Sequence, residues 1–343
     1  MLKTRKERLL TAAIALAVLV AGTAAAGGGS QSKGGASSYK VGLLMSGPMN
    51  DGGWNASAYE GLTEIKNKYP DVQISYQEGI PASDYEEIFR TYASQGYNLV
   101  FGHGYEFGDA ALKVAKDFPN VKFCVTSTDV SAAPNVSSML NNYHEMGYLL
   151  GVIAATMTKT NVVGAIGGME IPSITEALIA YEVAVKSENP QIKVMSVLTG
   201  TFEDVAKAKE TALTMIEQGA DIIFHDADQS GFGVFEACKE KGVMALGSIA
   251  DQASIEPNTI LTSGICSVGK GMLGIFELVL QGKLEPKNYA MGAAQGAVYV
   301  APFRNFDSQV PQALKDRIAK IEADMKSGAF DAVAFTEKGR ASR

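Results

Sequence analysis

From Tyr39 onward, short apolar runs alternate with amphipathic segments along the chain. The first half predicts strands at residues 40–45, 72–76, 99–101 and 122–125. Between them, apolar residues recur at helical spacing, as in Ala58, Leu62, Ile65 and Tyr69. A period of about 3.6 residues predicts helices, and short apolar runs bounded by turn residues predict strands. The pattern therefore indicates a repeat of strand and helix.

The same rhythm starts again after Asn141. We predict strands at residues 162–166, 193–197, 222–225 and 243–246, and helices at 145–157, 174–187, 204–218 and 233–241. Two such series predict an α/β fold with two doubly wound parallel sheets, whose ligand site lies at the carboxyl ends of the strands.

Two lobes also suit the length, because about 317 residues without the first 26 exceed what one core usually supports. Segment 260–280 predicts a strand and a helix that return to the first sheet. We therefore expect lobe 1 to comprise residues 38–141 and 262–297, and lobe 2 to comprise residues 142–261 and 298–343.

Residues 1–26 have the pattern of an export signal. A basic start precedes an apolar run from Leu9 to Ala21, and small residues follow. Because the run is short for a membrane span, we expect cleavage after Ala26 and an extracytoplasmic protein. Residues 27–38 then form a flexible Gly/Ser tether. The alternative is an uncleaved N-terminal anchor.

The charge balance argues against nucleic acid as a partner. The chain has 30 basic and 37 acidic residues, and four of the basic and one of the acidic residues lie in the first 26. Their removal leaves a net charge of about −10 without a visible basic patch, whereas binding to polyanions requires clustered Lys and Arg.

Motifs for catalysis, metals or cofactors are not found in the sequence. Cys124, Cys238 and Cys266 each stand among apolar or small residues, so we expect core packing, with a disulfide as the alternative. The three histidines are far apart, and dinucleotide, phosphate-loop and nucleophile-elbow motifs are absent. We therefore expect neither an enzyme nor a cofactor.

The turn after the first predicted strand carries the most informative residues. Asp51, Gly52 and Gly53 precede Trp54, the only tryptophan of the chain, and Asn55 suits a helix N-cap. Trp54 at an exposed turn offers a stacking surface for a ligand. The alternative is that it covers the edge of the first core.

Later turns combine aromatic and short polar residues. His103, Tyr105 and Glu106 follow the third strand, and Asp129 follows the fourth. In the second half, the corresponding turns contain Phe202, Asp226 and Asp228. The alternatives are that Glu106 is solvated, that His103 is a surface residue, and that Asp204 and Ser230 only cap helices. Together these turns predict one cleft for a small molecule.

Several ordered motifs resemble the basic membrane protein family of solute-binding lipoproteins, from about Tyr39 to Phe330. They are Asp51-Gly-Gly-Trp54-Asn55, Val163-Gly-Ala-Ile-Gly-Gly168, Gly219-Ala-Asp221-Ile-Ile-Phe, Gly231-Phe-Gly233, and Asp251-Gln252 followed by Leu261-Thr-Ser263. The resemblance implies a type I periplasmic-binding-protein fold with a hinged cleft. It also implies a purine nucleoside as ligand, and the permease and ATPase of an ABC importer as partners.

The resemblance also assigns roles to individual residues. Trp54 matches the aromatic residue that stacks on the purine, and Asp51 and Asn55 flank it. Asp129 matches the acid that binds the edge of the base, and Phe202 matches the aromatic residue that covers the other face of the ring. Such stacking is worth roughly 1–3 kcal/mol per base.

This chain departs from the family at the sugar contacts. Ser248 and Cys266 stand where the family usually has an acid and a lysine that contact ribose. The sugar is then held by Asp226, Asp228 or Ser248, or the ligand is a free base, so we expect weak discrimination between nucleoside and base. The predicted ligand-binding residues are Asp51, Trp54, Asn55, His103, Tyr105, Asp129, Phe202, Asp226, Asp228, Ser248 and Asp251.

A second departure concerns the membrane. The first cysteine is Cys124, so the cysteine that carries the family's lipid is missing. We therefore expect a released or peptide-anchored receptor, which meets the membrane only through the transporter or an anchor. A sugar or autoinducer-type receptor on the same fold is the alternative function.

Overall fold

Residues 39–341 form two six-stranded sheets with helices on both faces, as described by a computed structural model. The predicted export signal and the predicted tether, residues 1–38, lie outside the described residues. We call each sheet with its covering helices a lobe, the first and the second in chain order.

The strands of the described part are β1 (Lys40–Met45), β2 (Gln73–Gln77), β3 (Leu99–His103), β4 (Lys122–Thr126), β5 (Val136–Asn141), β6 (Val162–Gly167), β7 (Lys193–Leu198), β8 (Ile222–Asp226), β9 (Met244–Ile249), β10 (Ile260–Cys266), β11 (Asn288–Met291) and β12 (Val298–Val300). The helices are α1 (Trp54–Lys68), α2 (Tyr85–Ser94), α3 (Gly108–Val114), α4 (Tyr143–Met157), α5 (Pro172–Glu188), α6 (Val205–Glu217), α7 (Gly231–Lys241), α8 (Val268–Leu280), α9 (Gln312–Ser327) and α10 (Ala332–Ala341).

Both sheets have the doubly wound order that the sequence predicts. The first has the order β11-β5-β4-β3-β1-β2 and is parallel throughout. The second has the order β12-β10-β9-β8-β6-β7, in which only the edge strand β12 is antiparallel. In each sheet the strand order reverses at the first strand, β1 or β6, and such a switch point opens a crevice for a ligand. The predicted fold class is thus confirmed.

The sequence predicts the wrong sheet for one strand. We expected segment 260–280 to return to the first sheet, but β10 pairs with β9 in the second sheet, with Gly264 opposite Ser248. The first sheet receives β11 instead. An apolar strand pattern looks the same in either sheet, so the sequence does not indicate which partner it chooses.

The helix that follows β10 does return to the first lobe. There α8 crosses α1 at two glycines, and a Cβ at Gly61 would lie 2.5 Å from Gly269 Cα. The switch between lobes therefore falls at Cys266–Ser267 and not before Thr262. The other lobe boundaries stay a prediction.

Apolar clusters on both faces of each sheet make up the core. In the second lobe, α4 packs on α5 at very short range, because a Cβ at Gly147 would lie 2.1 Å from Ala177 O. Cys124, Cys238 and Cys266 are buried and free, which confirms core packing. Within residues 39–341, the helices are all too short or too polar to cross a membrane.

Candidate functional site

A cavity of about 580 Å³ lies where the carboxyl ends of both sheets meet. The first lobe contributes the turns after β1, β3 and β4, and α4 contributes Tyr143. The second lobe contributes the turns after β6, β7, β8 and β9. This size is typical of small-molecule sites.

Eight of the eleven predicted binding residues line this cavity: Asp51, Trp54, Asn55, Tyr105, Phe202, Asp226, Asp228 and Ser248. Three do not, namely His103, Asp129 and Asp251. The structure thus brings residues from both lobes to one site, while their roles toward a ligand stay a prediction.

The carboxylate of Asp51 is hydrogen-bonded to the backbone at the start of α1. It accepts hydrogen bonds from the backbone N–H groups of Gly53, Asn55 and Ala56 at 2.7–3.0 Å, and from Asn55 Nδ2 at 2.8 Å. The cap of α1 is therefore Asp51 acting from outside the helix, and the expectation that Asn55 is the N-cap was wrong. A carboxylate with four donors holds the turn in place and has little capacity left for a ligand.

Trp54 rests on His103. Their ring centroids are 4.1 Å apart with an angle of 26° between the planes. The interpretation of His103 as a surface residue was wrong, because its side chain is fully buried. Trp54 also packs against the apolar clusters of both lobes, so it covers a core edge and borders the cavity at once.

The tautomer of His103 follows from its surroundings. Burial lowers its pKa to about 4, so the ring is neutral at neutral pH. Its Nε2–H donates to Trp54 O at 3.1 Å, and its Nδ1 accepts from Thr126 Oγ1 at 2.9 Å, which itself accepts from Gly104 N. His103 is therefore a fixed support for Trp54 and not part of the cavity wall.

Phe202 is positioned from the second lobe. A Cβ at Gly168 would lie 2.3 Å from Phe202 Cδ1, so only glycine permits this ring position. Phe202 O accepts from Ser230 N at 2.8 Å. Asp204 accepts from Lys207 N at 2.9 Å and caps α6, whereas the Ser230 hydroxyl donates to Ala227 O and does not cap α7.

Asp226 ends β8 and is 2% exposed. Burial raises its pKa to about 7, and a hydrogen bond with the Ser248 side chain opposes that rise. Asp228, two residues later, also has a pKa raised to about 7 by burial and by the charge of Asp51. A Cβ at Gly53 would lie 3.3 Å from Asp228 Oδ1, so this carboxylate of the second lobe lies against the turn before α1 in the first.

His225 and Gln252 form a further contact at the cavity wall. Gln252 Oε1 accepts from Ser248 N at 3.0 Å and lies 3.1 Å from His225 Nε2, which therefore carries the proton. Burial lowers the pKa of His225 to about 4, so its Nδ1 is a bare acceptor. Gln252 Nε2 donates to Gly52 O in the first lobe at 3.4 Å.

Unpartnered acceptors concentrate at this cavity. Six buried side-chain polar atoms of the described residues have no hydrogen-bond partner, and four belong to residues that line the cavity: Asn55 Oδ1, His225 Nδ1, Asp226 Oδ2 and Asp228 Oδ1. Because a buried polar atom without a partner costs about 1–3 kcal/mol, the cavity matches a ligand rich in hydrogen-bond donors.

Sequence reasoning missed several residues of the wall, among them Tyr85, Ser127, Tyr143 and Gln252. Gln252 belongs to the Asp251-Gln252 motif, of which only Asp251 is among the predicted binding residues. Tyr143 follows β5, a strand that its polar sequence does not indicate. Ser127 lies in the turn after β4, where the sequence predicts Asp129 as the binding residue.

Backbone strain also marks the site. Ser127, Asp228 and Ile249 have φ values of 56°, 50° and 68°, and all three line the cavity. For a β-branched residue such as Ile249 this conformation is a genuine outlier. Strain of this kind costs roughly 1–3 kcal/mol and clusters at ligand sites, but no residue pattern in the sequence shows it.

Two predicted residues lie elsewhere. Asp129 is exposed, and Asp251 forms an ion pair with Arg304, whose Nε donates to Asp251 Oδ2 at 3.1 Å. Neither lines the cavity, because Asp129 follows Ser127 out of the turn and Asp251 faces a surface cation. Among residues 39–341, no group of three or more His, Cys, Asp and Glu side chains is placed to hold a metal ion.

The family model described as ABC transporter substrate-binding protein PnrA-like matches residues 38–329. The chain belongs to this family. Its members are substrate-binding proteins of ABC transporters and not enzymes, so the predicted resemblance and the predicted non-enzymatic class are confirmed.

Individual PnrA-like relatives agree with this placement. A purine-binding protein of Brucella abortus is 30% identical over 84% of this chain and 81% of its own length. The transcriptional activator protein med of Bacillus subtilis is 31% identical over 82% and 87%. The ABC transporter nucleoside-binding protein BmpA of Lactococcus lactis is 30% identical over 82% and 84%.

A solved structure extends the likeness to the fold. A solute-binding protein of an ABC transporter from Aeropyrum pernix superimposes with a TM-score of 0.75 at 20% identity, over 88% of this chain and 98% of that one. The PnrA-like chain thus has the type I periplasmic-binding-protein fold.

Proposed function

We propose that this protein is an extracytoplasmic solute-binding protein that binds a purine nucleoside or purine base between its lobes and delivers it to the permease of an ABC importer. The observation that carries the proposal is the placement of Trp54 and Phe202, which line one cavity from opposite lobes. Two aromatic rings that enclose a flat ligand supply stacking energy without requiring one particular base.

His103 gives this stacking a direction. Because it covers one face of Trp54, the opposite face is the one available to a ligand. His103 is held by hydrogen bonds at both ring nitrogens, so the indole is positioned before the ligand arrives. Positioning of this kind lowers the entropy lost on binding.

The polar groups of the wall favour a neutral, donor-rich ligand. The cavity is lined by the carboxylates Asp51, Glu106, Glu203, Asp226 and Asp228, and by no lysine or arginine among the described residues. Asp51 already accepts four donors, but Asp226 and Asp228 each keep an oxygen without a partner, and amino groups, ring N–H groups or sugar hydroxyls can satisfy these oxygens. Phosphate groups would meet like charge, so we expect nucleosides and bases to bind and nucleotides to be rejected.

The relatives named for purine and nucleoside binding support this ligand class. The export signal proposed for residues 1–26 is consistent with an extracytoplasmic receptor. A sugar or autoinducer-type ligand is the competing outcome, since aromatic rings also stack on pyranoses.

Thermal unfolding with a ligand panel tests the proposal. We expect adenine, guanine, hypoxanthine or their nucleosides to raise the Tm, and adenosine monophosphate, ribose and galactose to leave it unchanged. A ligand at one hundred times its Kd stabilises the folded state by about 2.7 kcal/mol. Stabilisation by sugars alone would refute the purine assignment.

Two variants then test the stacking. Trp54→Ala and Phe202→Ala should each weaken purine binding in calorimetric titration by roughly 1–3 kcal/mol. Tyr299→Ala removes a ring that is 39% exposed on β12 and outside the cavity, and serves as the matched control. Equal affinities for all three variants would contradict the sandwich.

A further inference from the structure

Hydroxyl groups surround the buried carboxylate of Asp226. Ser248 is 2% exposed, and the parallel register that pairs Phe224 with Leu246 brings it alongside Asp226 on the next strand, where Asp226 Oδ2 has no hydrogen-bond partner. Tyr143 is also 2% exposed, and its hydroxyl lies 3.2 Å from Ser127 Oγ. All four residues line the cavity, so this region presents one carboxylate and three hydroxyls to a ligand.

This region lies near the connections between the lobes. The charge of Asp226 reaches both Tyr143 at the start of α4 and Cys266 at the end of β10. Cys266 O accepts from Asn141 Nδ2 at 2.9 Å, which joins two of the connecting segments. Asp226 therefore lies deep in the cleft, near both Ser248 and Cys266.

We propose that Asp226, Ser248 and Tyr143 form a sugar subsite that binds the hydroxyl groups of a ribose, so that the ligand is a nucleoside and not a free base. The inference rests on the proposed function. A ribose hydroxyl both donates and accepts, and here it donates to Asp226 Oδ2 and accepts from a neighbouring hydroxyl. The carboxylate reaches the sugar from β8, the strand next to the one that carries Ser248.

The subsite changes the expected specificity. Substitution of an acid and a lysine by Ser248 and Cys266 predicted weak discrimination, because charge-assisted hydrogen bonds are lost. Asp226 supplies such bonds again, and they are about twice as strong as neutral ones. Asp51 cannot take this role, since its oxygens already accept four donors.

Calorimetric titration of the full chain with inosine, 2′-deoxyinosine, 3′-deoxyinosine and hypoxanthine tests the subsite, with adenosine and adenine as a second pair. In the wild type, inosine should bind at least a hundredfold more tightly than hypoxanthine. Asp226→Asn should weaken inosine at least tenfold, or about 1.4 kcal/mol, and hypoxanthine less than twofold. The deoxynucleoside that lacks the contacted hydroxyl should be as insensitive to the substitution as hypoxanthine.

Asp71→Asn is the matched control. Asp71 is exposed and precedes β2, at the sheet edge opposite the cavity, so this variant should keep wild-type affinities. Ser248→Ala is a second variant that keeps the carboxylate, and it should also weaken inosine more than hypoxanthine. Unfolding curves show whether each variant is folded.

The outcomes separate the subsite from the proposed function. If Asp226→Asn weakens inosine and hypoxanthine equally, or neither, the sugar subsite is wrong while purine binding stands. If wild-type protein binds hypoxanthine as tightly as inosine, the subsite is likewise wrong. If wild-type protein binds no purine base and no nucleoside, the proposed function itself fails.

Discussion

Asp226 should destabilise the protein in the absence of ligand, and Asp226→Asn should reveal this as a change in pH dependence. The carboxyl has an ordinary pKa of 3.8, and burial raises it to about 7 in the folded state. Between these values the folded state holds more protons than the unfolded state. Stability therefore falls as pH rises through this window and is constant above it.

The size of the effect follows from the two pKa values. Each pKa unit is worth 1.36 kcal/mol, so the full penalty at pH 8 is about 4 kcal/mol. At pH 4.5 the penalty is only about 1 kcal/mol. The folded-state carboxyl is still protonated there, and the pH is less than one unit above the unfolded-state pKa of 3.8. The difference in unfolding free energy between Asp226→Asn and wild type should thus increase by about 3 kcal/mol from pH 4.5 to 8.

Urea unfolding at several pH values, on protein freed of ligand by unfolding and refolding, measures this difference. The amide introduced by Asp226→Asn does not titrate. Any hydrogen bond that it gains or loses therefore changes the free energy of unfolding equally at every pH and does not affect the change between pH 4.5 and 8. His103 and His225 titrate in both proteins and cancel to first order, whereas the charge of Asp228 raises the pKa of Asp226, so this coupling is part of the measured difference. A difference that stays constant within 1 kcal/mol from pH 4.5 to 8 would refute the reasoning.

Three further substitutions test how the site is supported. Asp51→Ala removes the acceptor of four hydrogen bonds at the start of α1 and should lower the free energy of unfolding by about 1–3 kcal/mol, measured with urea. Gly168→Ala places a methyl group 2.3 Å from Phe202 Cδ1 and should weaken purine binding at least tenfold in calorimetry, with the fold intact by circular dichroism. Gly147→Ala meets Ala177 O at 2.1 Å and should cost roughly 1–3 kcal/mol of stability, whereas Gly274→Ala in open space on α8 should not destabilise.

The sequence was sufficient to predict the strand and helix alternation, because apolar periodicity is a local property. Predicted strand 40–45 and observed β1 coincide, and predicted helix 145–157 lies within α4. The partner of a strand is not local. For β10 the pattern identified the strand, but only the three-dimensional pairing with β9 and β12 shows its sheet.

The polar strand β5 shows the opposite failure. Its sequence, Val-Ser-Ser-Met-Leu-Asn, has little apolar character, yet five of its six residues are buried. Ser137 and Ser138 are buried because their hydroxyls find acceptors in Phe123 O and Asn288 Oδ1. Such partners come from distant parts of the chain, so hydropathy alone could not indicate this strand or the position of Tyr143 after it.

For the site, the sequence indicated the correct turns more reliably than the correct residue within a turn. The turn after β4 was selected, but Ser127 lines the cavity while Asp129 is exposed. Which residue points inward depends on the backbone, and Ser127 has a φ of 56°. A left-handed residue reverses the direction of the chain, and serine gives no sequence signal for it.

Hydrogen-bond saturation separates the carboxylates that support the cavity from those that are available to a ligand. Asp51 accepts four donors from its own turn, so it stabilises the fold whether or not a ligand is bound. Asp226 has an oxygen without a donor, and its ionised form costs stability until donors reach it. Tyr143 and Cys266 lie near Asp226, but burial raises the pKa of both groups, so they stay neutral. Asp228 is therefore the neighbouring group whose charge affects the pKa of Asp226. Because ligand hydroxyls favour the ionised form of Asp226, affinity should rise with pH over the same range in which the stability of the free protein falls. The ionised carboxylate of Asp226, which destabilises the free protein, is then the group that accepts hydrogen bonds from the bound ligand.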